Sequence, residues 1–96
     1  MAYAIFEIEK ENEGMIEEAK KDDLISRQSI WTRDAKSLGK EGNKIFLKIE
    51  GSEDAIKKAE EILKGKRLPK EKEEEINKKF VEDEEAASEG MGFIFG

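Results

Sequence analysis

The heptapeptide Lys44–Glu50 (KIFLKIE) sets the terms on which this chain can fold. Ile45, Leu47 and Ile49 alternate with Phe46, Lys48 and Glu50, a period of two that an extended strand resolves into opposite faces. Ser52 follows as a helix cap, with Glu53 and Asp54 suited to the positive end of the helix. Ala55, Ile56, Ala59, Ile62 and Leu63 then form an apolar stripe that Gly65 terminates. A strand that runs directly into an amphipathic helix is the seed of an α+β arrangement.

The preceding residues supply partners for that unit. Residues 2–9 (AYAIFEIE) alternate as well, with Ala4, Phe6 and Ile8 on one side and Tyr3, Ile5 and Glu7 on the other, and predict a strand. Asn12 is expected to cap a helix reaching about Asp22, with Met15, Ile16 and Ala19 facing inward. Residues 28–37 (QSIWTRDAKS) read as a second, more polar strand. The two glycines and the asparagine of Leu38–Asn43 make the connection to the next. Pro69 suits the first position of a further helix, and Lys70–Ala87 is nearly all charge, with Ile76, Phe80 and Ala87 as a thin stripe. Ser88-Glu89-Gly90 is expected to end it, leaving MGFIFG as a terminal edge strand or tail.

This order predicts a ferredoxin-like βαββαβ sandwich forming one domain over residues 1–96, with helices on one face of an antiparallel sheet. Its core is expected within 1–65, an extra helix at about 69–88, and the last strand or tail at 91–96.

Composition narrows the function classes. Charged residues make up 44% of the chain and the net charge is −6, which argues against a general electrostatic grip on DNA or an anionic membrane. Leu, Ile, Val and Phe number 22 of 96, above the roughly 20% below which highly charged chains stay disordered. No run approaches the roughly 18 apolar residues of a membrane span, and no apolar signal-peptide core follows Met1. Cysteine and histidine are both absent, so thiolate chemistry, the usual zinc sites and histidine dyads are excluded. The expectation is a cytoplasmic, non-catalytic protein with no metal and no cofactor. Its Glu/Lys excess, with four Asn plus Gln and no Cys, is of the kind found in thermophiles.

A candidate binding surface follows from strand parity. If Phe6, Ile8, Ile45, Leu47 and Ile49 point toward the helices, Tyr3, Ile5, Phe46 and Lys48 point away. Arg27, Ser29, Trp31 and Arg33 are placed on that same side, because the opposite parity would bury two arginines. Charge is segregated too: Leu24–Lys48 carries a net +4 and the other 71 residues −10. A bare face bearing Tyr3, Arg27, Trp31, Arg33, Phe46 and Lys48 is expected to be covered by a second copy of the chain, giving a homo-oligomer. The alternative partner is single-stranded RNA or a nucleotide stacked on the rings.

Gly39-Lys40-Glu41-Gly42 spells the GxxG of KH RNA-binding domains, and Lys44–Leu63 is similar to the strand and helix that close that fold. A KH GxxG joins two helices, whereas this one leads straight into a strand and reads as a turn. Lys10–Ala19 (KENEGMIEEA) resembles the first strand-to-helix turn of ACT domains, with Gly14 matching and Glu11 and Glu13 in place of the usual Asp and Pro. That resemblance implies small-ligand binding near Gly14. The acidic clusters Glu71–Glu75 and Glu82–Glu85 lack a calcium-loop pattern and read as solvated helix faces. Asp34, beside Arg33 in a strand and expected to be partly buried, is the only candidate for acid–base work, and a structural salt bridge accounts for it equally well.

Overall fold

The computed structural model describes the backbone of residues 2–95 and the side chains of residues 2–82. Its elements are β1 (Ala2–Glu9), α1 (Gly14–Lys21), α2 (Asp23–Ser26), β2 (Ser29–Asp34), β3 (Lys44–Gly51), α3 (Glu53–Ile62) and α4 (Lys70–Phe95). Short 3-10 turns occupy Lys10–Asn12 and Ala35–Leu38. The chain is therefore an α+β structure around a three-stranded antiparallel sheet ordered β1-β3-β2.

Local chemistry accounts for the boundaries. The Ser52 hydroxyl accepts a hydrogen bond from Ala55 N at 3.2 Å and opens α3 as expected. The N-terminal helix departs from expectation: Asn12 ends a 3-10 turn, α1 begins at Gly14, and the side-chain cap belongs to Asp22, which accepts from Leu24 N and Ile25 N at the start of α2. The second strand is likewise shorter than 28–37. It stops at Asp34 because Ala35–Leu38 tighten into a turn closed by Gly39, whose φ of 75° only glycine adopts cheaply. A Cβ at Gly51 would displace the side chain of Gln28. That glutamine ties α2 to the β3–α3 junction through bonds to Leu24 O and Ser52 N.

One core lies where parity places it. Ala4, Phe6 and Ile8 of β1 and Ile45, Leu47 and Ile49 of β3 pack with Ile16, Ala19, Ile25, Ile56, Ala59 and Leu63 from the helices. A second core lies on the opposite face of the sheet. There Ile5, Ala35, Leu38 and Phe46 are sealed by Ile76 and Phe80 of α4. The sheet face expected to be bare is thus covered by the chain's own charged helix. Among the described residues of α4, two apolar side chains meet four supplied by the sheet and by the turn at Ala35–Leu38.

The terminal strand expected at 91–96 is also corrected. Residues up to Phe95 belong to α4, and Gly96 lies outside the described residues. The outer edge of β1 is occupied instead by Lys66–Leu68: Glu7 N donates to Lys66 O and Leu68 N to Ile5 O, both at 2.9 Å, flanking a bridge between Phe6 and Arg67. With that edge paired, a strand from the C-terminus has no place beside β1. No helix among the described residues is long and apolar enough to cross a membrane.

Candidate functional site

Cross-strand register defines what the second sheet face displays. Residues directly opposite in an antiparallel pair share a face. On β3, Glu50 lies between Tyr3 and Ser29, Lys48 between Ile5 and Trp31, and Phe46 between Glu7 and Arg33. Tyr3, Trp31, Arg33, Phe46 and Lys48 therefore do sit together, as the parity argument requires. Arg27 does not join them. It caps the C-terminus of α2 outside the strand, and its guanidinium pairs with Asp23 at 3.2 Å on an exposed surface.

The cover provided by α4 changes what these residues can do. Phe46 is 3% exposed and Lys48 8%, so neither presents a platform to solvent. The Lys48 ammonium lies 4.9 Å from the Trp31 ring centroid, 5.7 Å from Tyr3 and 6.0 Å from Phe80. Two strands and α4 thus close an aromatic box around one cation. The ring quadrupoles compensate part of the cost of taking that charge out of water. Burial, and then the negative charges of Glu73 and Glu74, raise the Tyr3 phenol above its ordinary value.

A buried carboxylate that sequence reasoning missed fastens α4 to the sheet. Glu73 is 5% exposed, and its Oε2 accepts from Ile5 N at 2.8 Å and from Arg67 Nε at 3.0 Å. Arg67 also pairs with Glu60 of α3, and its pKa is pushed up chiefly by the bond to Glu73. The signal was present in the spacing. Glu73, Ile76 and Phe80 fall at intervals of three and four, on one helical face. Toward the surface, Lys40 donates to Glu75 at 2.7 Å and lowers its carboxyl pKa. Lys44 donates to Glu7 at 2.9 Å and is itself raised.

The two outer edges of the sheet differ. On β1, Ile5 and Glu7 turn their backbone groups outward to Glu73 and Lys66–Leu68. Antiparallel alternation then directs Trp31 and Arg33 inward to β3, leaving the amides and carbonyls of Ile30, Thr32 and Asp34 on the outer edge of β2. The Arg33 Nη1 donates to Thr32 O at 2.8 Å on that edge. Asp34, expected to be partly buried, is exposed, with Lys10 at 3.9 Å. A groove of about 350 Å³ beside the edge is lined by Ile16, Glu17 and Lys20 of α1 with Thr32, Asp34 and Ile45.

Gly14, which carries the ACT resemblance, opens α1 with open space where a side chain would project. Gly39–Gly42 spans the end of a 3-10 turn and the approach to β3, so the GxxG joins no two helices. Among the described residues no group of three or more carboxylates is placed to hold a metal ion. Comparison with family models, curated proteins and solved structures finds no match for this chain.

Proposed function

We propose that this chain is a non-catalytic binding or assembly module of the cytosol that self-associates. Its architecture is read as a ferredoxin-like sandwich whose fourth strand is reduced to the bridge between Phe6 and Arg67, with α4 folded back over the open face. The asymmetry of the sheet edges carries this reading. The β1 edge is consumed by Lys66–Leu68 and Glu73, whereas β2 offers Ile30, Thr32 and Asp34 to another strand. The contact surface is accordingly moved from the sheet face, which α4 covers, to the edge of β2.

The titratable groups favour a structural role over catalysis. Glu73, Glu75, Lys44 and Arg67 each have an opposite charge as partner, and each pair joins separate elements of the fold. Light scattering across a dilution series is the test, with the apparent mass expected to rise with concentration. A monomer at millimolar concentration would defeat the proposal. Binding of single-stranded RNA to Tyr3, Trp31, Phe46 and Lys48 would require α4 to leave the face. A change in Trp31 emission on adding a random oligonucleotide at low salt would favour that reading instead.

A further inference from the structure

We infer that the partner at this edge is a second copy of the chain, paired β2 to β2 antiparallel about a two-fold axis through Thr32. This inference rests on the self-association reading and adds the occupant, the register and the residues at the axis. Only residues whose backbone groups face outward can form a new ladder, so Ile30, Thr32 and Asp34 must pair among themselves. That parity rule leaves few two-fold registers. Placing Thr32 opposite Thr32 of the partner copy engages all three, with Ile30 opposite Asp34 twice. Sliding by one register toward the N-terminus pairs Asp34 with Gln28, which lies outside β2. Sliding the other way pairs Ile30 with Lys36, which also lies outside β2.

The Thr32 register also meets the side-chain requirements. It places Arg33 beside Trp31 of the partner copy, in the closer, non-hydrogen-bonded kind of pair. On the opposite face, the groove between α1 and β2 leaves room for the partner's Thr32 and Ile30 side chains. The Arg33 bond to Thr32 O does not block the ladder, because a carbonyl oxygen has two lone pairs and accepts a second donor. The product is a continuous six-stranded sheet, three strands from each copy, closed by symmetry so that it cannot propagate.

The chain contains no cysteine, so single-cysteine variants report the register directly. Thr32→Cys is expected to link two copies with a short thiol-reactive bridge, since paired Cα atoms lie about 5.5 Å apart. Ile30→Cys and Asp34→Cys are each displaced from their own copy by four residues, or about 14 Å along the strand, and should link poorly. Thr32→Pro removes the amide at the axis without touching a bond to β3. With an unchanged circular dichroism spectrum, it should raise the dissociation constant at least about tenfold. If the chain self-associates but Ile30→Cys or Asp34→Cys links as well as Thr32→Cys, the register is wrong while self-association stands. If the chain is monomeric throughout, both fall.

Discussion

Truncating Phe80 to alanine tests whether α4 is part of the folded core or a loosely held appendage. Phe80 is 2% exposed, packs with Ile5, Phe46 and Ile76, and forms one wall of the box around Lys48. Removing a ring from such a site loses its burial and leaves a cavity, costing about 3–5 kcal/mol. For 96 residues the total stability is roughly 5–14 kcal/mol, so the loss is a large fraction of it. Urea unfolding followed by Trp31 fluorescence reads this directly. With a slope of about 2 kcal/mol per molar, the midpoint should fall by about 2 M. Val81→Ala is the matched control. Val81 is next in sequence but 39% exposed, and its truncation should cost about 0.5 kcal/mol or less. Equal, small losses in the two variants would refute the docking of α4 on the sheet.

Further outcomes follow from the fastening of that helix and the chemistry beneath it. Glu73→Ala should cost about 3 kcal/mol by orphaning the Ile5 amide and one side of Arg67, and Glu73→Gln roughly half that, because an amide oxygen still accepts. Equal costs would show that the Ile5 amide is not the partner that matters. Tyr3 should titrate above 10 when followed by ultraviolet absorbance, since burial and two nearby carboxylates oppose its ionisation. The folded pKa is raised above the unfolded one, so this contribution to stability is full below the unfolded value and is lost as pH rises through the folded one. A titration midpoint at or below that of a free phenol would contradict the placement.

What could be read from the residues alone was whatever depends on near neighbours. Side-chain alternation assigned Tyr3, Trp31, Phe46 and Lys48 to one sheet face and Phe6, Ile8, Leu47 and Ile49 to the other, because Cβ direction reverses at every step of a strand. The Ser52 cap and the Gly65 turn are equally local, the first a single hydrogen bond and the second a φ of 70°. Arg27 escaped this reasoning because the strand begins at Ser29 and Arg27 ends α2 instead.

Tertiary structure alone decided which segment covers the second face and which claims the edge of β1. A second copy of the chain or the Ile76/Phe80 stripe could each have covered that face, and the hydrophobic effect has no direction to choose between them. The choice went to the helix whose Glu73 also satisfies the Ile5 amide. Lys66–Leu68 claimed the edge because the turn at Gly65 returns the chain beside β1. An exposed apolar face states in sequence that it needs a cover. Which part of the chain supplies it depends on contacts between residues some 70 positions apart, such as Ile5 and Glu73, and on the backbone groups left to satisfy once those contacts form.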